Sequence, residues 1–483
     1  MLNKNILSVI TLGIGVLSLF NTETVRAQID IPSGAERRPN LSMDPFERAR
    51  EAVKSLPGSS VQTPAQKTIE RDKLIPSAGA DTTSTSEKAA AAAEEEPASA
   101  FSYAGVAIAD LFNVVSGGTT ITDEEGLLPP TTAYPILINL AGEINTGAAG
   151  LWDNGTILVQ MFGYGGTSPG ELVGDFHGLS SIDTGADEAY FKLYEAWYQH
   201  DFEYSKSSFR AGIQDWNSEF YVAEYANLFM NGAFGMGSIV GASAGPSNYP
   251  ATTAGIRYLS TLTEDSYFQF AIFDGAADEG GFFQVSFNSD EGVYVSTEVG
   301  MSQKEPGEDG YFKAAVGGWF LGKSIDAYTG TEEGEVFTQA DGSEVPVNTG
   351  QFESASGTYG AYFLGEMAIG DNIGVFFKAG WADPSYNRYS QFYAGGLNYS
   401  GLIPDRVDDV LGVAVTHTKQ GSFFLNDNPD LSYIAETTYE VTYSAQINDW
   451  LMIQPDLQFI QYPAMSYAIP NTTVVGIRVQ AEF

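Results

Sequence analysis

The sequence VVGIRVQAEF, residues 474–483, decides the fold. In an extended strand its side chains alternate, so the apolar residues from Val475 to Phe483 share one face, while Arg478 and Gln480 lie on the other. A soluble domain rarely ends on an apolar side chain, because termini fray and bury little surface. A strand of a membrane barrel has one face in lipid and one in water, and it ends at an aromatic girdle. The segment therefore predicts the closing strand of a transmembrane β-barrel.

The same alternation recurs in a hairpin just upstream. Polar and apolar residues alternate from 436 to 447, with Glu436 and Glu440 on the polar face. Asn448-Asp449 predicts a tight turn, and residues 451–458 return with the same pattern. One face of this hairpin is polar and suited to water, and the other is apolar, as in the wall of a membrane barrel.

A second hairpin is predicted for residues 190–215, and its first strand, YFKLYEAWYQ, is harder to phase. In a regular strand Lys192 and Glu195 fall on opposite faces, so one charge would meet lipid. We place Lys192 at a membrane interface, where its long side chain can snorkel. This choice turns Glu195, Trp197 and Gln199 toward the barrel interior.

The region from Phe101 to the end has room for a large barrel. Its loops, such as TGTEEGEVFTQADGSEVPVNTG at 329–350, are long, acidic and rich in glycine. Two spanning strands with one turn and one loop need roughly 45 residues, which predicts about 16 strands. We expect residues 101–483 to form an all-β, transmembrane antiparallel β-barrel enclosing an aqueous channel.

The N-terminus reads as a targeting segment followed by a polar arm. Lys4, an apolar run at 6–20 and a small-residue cleavage site ending at Ala27 predict a signal peptide over residues 1–27. The run is shorter than the ~20 residues of a spanning helix, so cleavage is favoured over anchoring.

Residues 28–100 are predicted to form a periplasmic, low-complexity arm. Asp44 as N-cap and the following proline start one short helix at about 44–56, which Pro57-Gly58 ends. Three roles stay open for this arm: a disordered leader, a plug of the lumen, or a helix that binds a partner.

Composition excludes several classes of site and partner. The chain has no cysteine, which rules out disulfides, iron–sulfur clusters and thiolate zinc sites. Its 23 basic and 61 acidic residues give a net charge of −38. Such a field repels phosphates, so nucleic acid is not expected as a partner.

Several stretches resemble the carbohydrate-selective porins of the OprB family. They are ADLFNVVSGG (110–119), YFKLYEAWYQHDF (190–202), FRAGIQDWNSEF (209–220), FAIFDG (270–275), YAGGLNYSGLIPDRVDDVLGVAV (393–415), ETTYEVTYSAQINDWLMIQPDLQFIQYP (436–463) and the final strand. The chain departs from the family at Ile213, where many relatives have a basic residue, at Asp405, where Gly is usual, and in YPAM (462–465), which lacks the usual Pro-Gly-Gly.

The resemblance implies a 16-stranded outer-membrane barrel that admits monosaccharides and other small solutes by passive diffusion. It also implies inward loops and a constriction lined by arginines, carboxylates and aromatics. Phe483 looks like the C-terminal aromatic that the barrel-assembly machinery recognises. Outer-membrane lipid is then the surrounding medium, and monomer and trimer both stay open.

Sugar hydroxyls need bidentate donors and acceptors, and sugar faces stack on aromatic rings. The residues that could line such a pore are Arg210, Glu195, Trp197, Asp215, Trp216, Arg257, Arg406, Glu436 and Glu440. Alternative roles stay open for some of them. Arg210 and Glu195 could form only an ion pair on the wall, and Trp216 could belong to the girdle. Asp405, Asp408 and Asp409 could pair with Arg406 in a turn or bind a divalent cation.

An enzyme is not expected. Glu436 and Glu440 lie roughly 13 Å apart along one strand, farther than the acid pairs of glycosidases. The histidines, His177, His200 and His417, have no metal-site spacing. We therefore expect no metal and no cofactor. Two other functions stay open: a general porin that prefers cations, and a barrel that its N-terminal arm plugs for a structural or binding role.

Overall fold

The computed structural model describes residues 99–119, 131–186, 188–275, 292–304, 306–331, 336–338, 344–346, 352–427 and 433–483. The predicted signal peptide and the helix at 44–56 lie outside the described residues, as does the arm apart from its last two residues.

Sixteen long strands form the wall of a barrel. They are β1 Phe101–Ser116, β2 Pro135–Asn145, β3 Gly155–Gly166, β4 Tyr190–Phe202, β5 Ser207–Gln214, β6 Thr253–Thr261, β7 Ser266–Asp274, β8 Val293–Gln303, β9 Phe312–Leu321, β10 Thr358–Ile369, β11 Ile373–Ala382, β12 Tyr389–Ser400, β13 Val410–Gln420, β14 Ala435–Asn448, β15 Leu451–Gln461 and β16 Thr472–Glu482. The predicted number of strands and the all-β fold class are confirmed.

The strands pair antiparallel in chain order, and β16 returns to pair with β1. This closing register runs from Val106 opposite Glu482 to Ser116 opposite Thr473. Closure removes the open sheet edges that a membrane would leave without hydrogen-bond partners. The segment quoted first is therefore the last strand of the barrel, as predicted.

The loops between the barrel strands contain short strands and short helices. Strand Thr132–Ala133 bridges to β1; Ile325–Thr331 pairs with Phe352–Ala355, and Val336–Thr338 pairs with Glu344–Pro346. The α-helices are α1 Gly170–Val173, α2 Ser238–Ala244 and α3 Ser422–Asp427, and the 3₁₀ helices are Glu224–Leu228, Gly232–Phe234 and Pro463–Met465. No helix in the described part of the chain is both long enough and apolar enough to cross a membrane.

The wall alternates between an apolar outside and a polar inside. In β16, Val475 and Val479 are about 40% exposed on the outside, whereas Arg478 and Gln480 are buried inside. The hairpin of β14 and β15 follows the predicted phase, with Glu436 and Glu440 inside. The outer face meets lipid, which explains why large apolar side chains are exposed there.

The predicted phase of β4 is wrong at Lys192, which faces the interior and is buried. Gln160 of β3 pairs with Glu195, but the next residue, Met161, pairs with Leu193, so Tyr194 is an extra residue. This β-bulge resets the alternation. Both Lys192 and Glu195 can then face inward, and no charge meets lipid.

Candidate functional site

Two loops between strands fold into the barrel and narrow it. The longer one joins β5 to β6 over residues 215–252 and carries α2; the shorter one joins β3 to β4 over residues 167–189 and carries α1. The apolar side chains of the longer loop pack on aromatic residues of the wall. The loop contributes Trp216, Phe220, Tyr221, Phe229 and Phe234, and the wall contributes Tyr294, Trp319, Tyr362 and Phe376.

Glutamate side chains of the wall accept hydrogen bonds from the backbone N–H groups of these loops. Glu298 accepts from the Tyr221 N–H at 2.8 Å, and Glu366 accepts from the Tyr225 N–H at 3.0 Å. A carboxylate can accept several charge-assisted hydrogen bonds at once, which suits it to the otherwise unpaired N–H groups of irregular loops. Glu298 also accepts from the hydroxyls of Tyr267 and Tyr362.

Glu436 and Glu440 face inward as expected, but they hold loops. Glu436 accepts from the backbone N–H groups of Phe176, His177 and Ala464 at 2.6–3.1 Å. Glu440 accepts from the N–H groups of Met230 and Asn231 at 2.6 and 3.0 Å. Both side chains are fully buried and are not among the residues that line the passage.

Between the two loops lies a cavity of about 330 Å³, which we call the passage. Its polar lining includes Ser181, Asp183, Asp215, Asn217, Ser218 and Asn227, and its aromatic lining includes Phe176, Tyr194 and Tyr249. Asp183 and Asp215 are acidic, and no lysine or arginine is among the described lining residues. The Asn227 side-chain nitrogen is buried and makes no hydrogen bond within the described part of the chain.

The predicted pore-lining residues Trp197, Arg210 and Arg257 lie close together on β4, β5 and β6. Arg210 of β5 lies opposite Arg257 of β6, and the Arg210 guanidinium stacks on the Trp197 ring at 3.9 Å. Each guanidinium contacts one carboxylate oxygen of Glu219, at 2.8 and 2.9 Å. Glu219 lies on the longer loop and was not singled out from the sequence.

Glu195 and Asp215 lie where the longer loop leaves the wall. Glu195 accepts the Asp215 N–H at 2.8 Å, and the Tyr194 hydroxyl donates to the Asp215 carboxylate. Asp215 lines the passage. Trp216 does not: it is fully buried, stacked on Phe220, and so lies neither in the passage nor in an outer girdle.

Arg406 lies away from the passage, in the turn between β12 and β13. It donates to both oxygens of Asp409 and to the carbonyl of Gln446, so it bridges the turn to β14. Of the three aspartates expected to pair with Arg406, Asp409 is the one shown in contact with it. Among the described residues, no group of three or more His, Asp or Glu side chains is arranged to hold a metal ion.

His177 shows how completely the shorter loop is packed. Burial lowers the pKa of His177 to about 3, with a smaller contribution from His417, so the ring is neutral. Its nitrogens contact the hydroxyls of Thr438 and Thr418 at 2.9 and 2.7 Å. The 3.3 Å approach of its Nδ1 to Glu436 is therefore not an ion pair.

Asp175, two residues earlier, is also buried. Burial raises the pKa of the Asp175 carboxyl to about 6, although its oxygen accepts the Gly178 N–H at 2.9 Å. The two groups shift in opposite directions because burial disfavours whichever form is charged.

Phe483 closes the seam of the barrel. It exchanges backbone hydrogen bonds with Gly105 at 2.8 and 2.9 Å. A Cβ at Gly105 would lie 2.5 Å from the Phe483 ring, so only glycine leaves room for the ring there.

Known proteins with the same architecture are found by both sequence and structure. Porin B of Pseudomonas aeruginosa is 25% identical over 283 residues, which are 53% of this chain and 60% of that porin. The alignment thus spans less than two thirds of Porin B. The high-pH structure of Pseudomonas putida OprB matches with a TM-score of 0.67 at 18% identity, over 80% of this chain and 94% of that chain, which shows the fold.

A family model described as the carbohydrate-selective porin, OprB family, matches residues 143–483. This match runs from β2 to the last residue. The porin family and fold are those of outer-membrane channels, not of enzymes. The chain therefore belongs to the carbohydrate-selective porins of the OprB family.

Proposed function

We propose that this barrel lets monosaccharides and other small hydrophilic solutes diffuse passively across the outer membrane. The passage carries this proposal: about 330 Å³ of space, lined by hydroxyls, amides and two carboxylates beside aromatic rings. Ligand sites of small molecules begin at about 300 Å³ and combine apolar faces with a few polar groups. A sugar ring can stack on such rings while its hydroxyls exchange hydrogen bonds with the polar groups.

Export and assembly belong to the same proposal. Residues 1–27 would act as the signal peptide, and Phe483 would be the residue that the assembly machinery reads. Asp215 lines the passage and would meet a solute directly, whereas Arg210 and Trp197 would act from the wall.

Swelling of liposomes that carry the purified protein tests this function. We expect glucose and xylose to enter faster than a neutral amino acid of similar size, and maltose to enter more slowly. Entry ordered by size alone would contradict sugar selection, and no swelling would contradict the channel itself.

Asn227 offers a sharper test of sugar binding, since it is one of the amide residues that line the passage. We expect Asn227→Leu to slow the entry of glucose about 2- to 10-fold, the loss of one hydrogen bond. Asn372→Leu, in the short turn between β10 and β11, is the matched control.

A second candidate function is a general porin that prefers cations. It is favoured by Asp183 and Asp215, since the described lining of the passage has these two carboxylates and neither lysine nor arginine. The reversal potential across a planar bilayer in a KCl gradient tests this candidate. A reversal potential whose sign shows that K⁺ permeates faster than Cl⁻, together with swelling rates that follow solute size, would support the cation porin over sugar selection.

A further inference from the structure

We propose that Glu219 sets the charge preference of the passage, by offsetting one of the two positive charges that Arg210 and Arg257 carry beside it. The inference rests on the proposed function, in which solutes pass between the two inward loops. Without the Glu219 charge, the passage should admit anionic solutes such as chloride or small carboxylates more readily.

The geometry places one carboxylate between two cations. Arg210 Nη1 lies 2.8 Å from Glu219 Oε1, and Arg257 Nη2 lies 2.9 Å from Oε2. Both guanidinium groups are almost fully buried, and the Glu219 side chain is 16% exposed. Arginine stays charged in proteins, so the two neighbouring cations need a buried negative partner.

Neutral groups also contact the two arginines. Gln199 Oε1 accepts from Arg210 and from Arg257, in each case at 2.9 Å. Ser208 accepts from Arg257, and the Trp197 ring lies under Arg210. Glu219 is thus the carboxylate that the structure shows on both arginines.

The cluster is adjacent to the passage. Asn217 and Ser218 line the passage and directly precede Glu219, while the Gln269 side chain fixes the Glu219 carbonyl at 2.6 Å. At physiological salt the Debye length is about 8 Å, so a charge at this position is felt by an ion in the passage. Glu219 therefore leaves the carboxylates of Asp183 and Asp215 to dominate the local field.

Ion selectivity of the purified full-length chain in planar bilayers tests the proposal. In Glu219→Gln the ratio of K⁺ to Cl⁻ permeability should fall about 1.5-fold, the effect of one unit charge acting over about 10 Å in screened water. Glu203→Gln, in the exposed turn between β4 and β5, removes the same charge elsewhere and should leave the ratio unchanged.

Two further variants keep the proposal falsifiable if Glu219→Gln does not assemble. Arg210→Gln should shift the ratio toward K⁺, because Glu219 then balances Arg257 alone. Arg210→Gln/Glu219→Gln leaves the net charge of the cluster unchanged and should return the ratio to that of the wild type.

The outcomes separate this inference from the proposed function. A wild-type barrel that carries no current contradicts the channel itself. A conducting wild type with Glu219→Gln indistinguishable from Glu203→Gln overturns the role of Glu219. An unchanged ratio in Arg210→Gln overturns it equally, whatever the sugar permeability of the barrel.

Discussion

Asp110 and Arg478 face each other across the seam where the first strand meets the last. Arg478 Nε and Nη2 donate to the two Asp110 oxygens at 2.7 and 2.8 Å, and both side chains are almost fully buried. Ser180 of the shorter inward loop donates to the same carboxylate at 2.6 Å. One pair therefore links barrel closure to the position of a loop.

Breaking this pair should destabilise the barrel. Asp110→Asn leaves the Arg478 charge buried beside a neutral partner, and we expect the free energy of unfolding to fall by about 3 kcal/mol. Urea unfolding of the refolded protein in detergent micelles measures the change. The double variant Asp110→Asn/Arg478→Gln should lose less than Asp110→Asn alone, and exposed Asp153→Asn is the control. A double variant that loses more would contradict a charge pair at the seam.

Asp405 and Ala464 both adopt left-handed φ values, 65° and 50°, at positions where the resemblance described above implies glycine. Side chains are strained in this region. The chain holds Ala464 there partly through the hydrogen bond from its N–H to Glu436.

Asp405→Gly and Ala464→Gly should therefore leave the free energy of unfolding unchanged or raise it by up to about 1 kcal/mol. At Asp408, in the same turn but without a positive φ, glycine should instead cost about 0.5–1 kcal/mol. Urea midpoints compare the three variants. Equal losses at all three sites would show that the left-handed residues carry no strain.

Strand faces were predictable from the sequence because lipid and lumen impose a period of two on every strand. The error at Lys192 arose where that period breaks. A charge forced toward lipid in YFKLYEAWYQ was itself a signal of a bulge. The sequence could not show that wall glutamates hold loops, since periodicity gives the face of Glu436 and not its partner. Trp216 lies in a loop without period, so its burial was not predictable.

Phe483 should matter for assembly more than for conduction. Phe483→Ser removes the ring that packs on Gly105, and we expect less barrel in the outer membrane with unchanged single-channel conductance. The fraction of assembled barrel is measured from the change in electrophoretic mobility when membrane fractions are heated before the gel. Phe101→Ser, an equally exposed phenylalanine where β1 begins, is the control. Equal assembly of the two variants would argue against a special role for the last residue.

Glu298 should keep the longer loop in place. It accepts from the Tyr221 N–H, the Gln269 amide and two tyrosine hydroxyls. Glu298→Gln replaces one acceptor with a donor that faces other donors, and each lost bond costs about 1 kcal/mol. We expect a noisier single-channel current with a higher mean conductance. Glu203→Gln is the control, and a quiet current in Glu298→Gln would contradict the holding role.

The shorter loop should respond to acid through His177. Its pKa is about 3 in the docked loop and ordinarily 6.5, so docking is strongest above pH 6.5 and weakens toward pH 3. Asp175 opposes this: its docked pKa is about 6 against an ordinary 3.8, so docking recovers as the pH falls from 6 to 3.8. The two dependences oppose each other in the wild type.

Asp175→Asn removes an opposing group, so between pH 6 and 4.5 acid should weaken docking by about 2 kcal/mol more in the variant than in the wild type, and the variant's conductance should change accordingly. Adding His177→Gln removes the titrating imidazole and should reduce this response. Single-channel conductance across this pH range measures both variants. A response that persists in Asp175→Asn/His177→Gln would assign the titration to a different group, because neither side chain of the pair could then bind the proton.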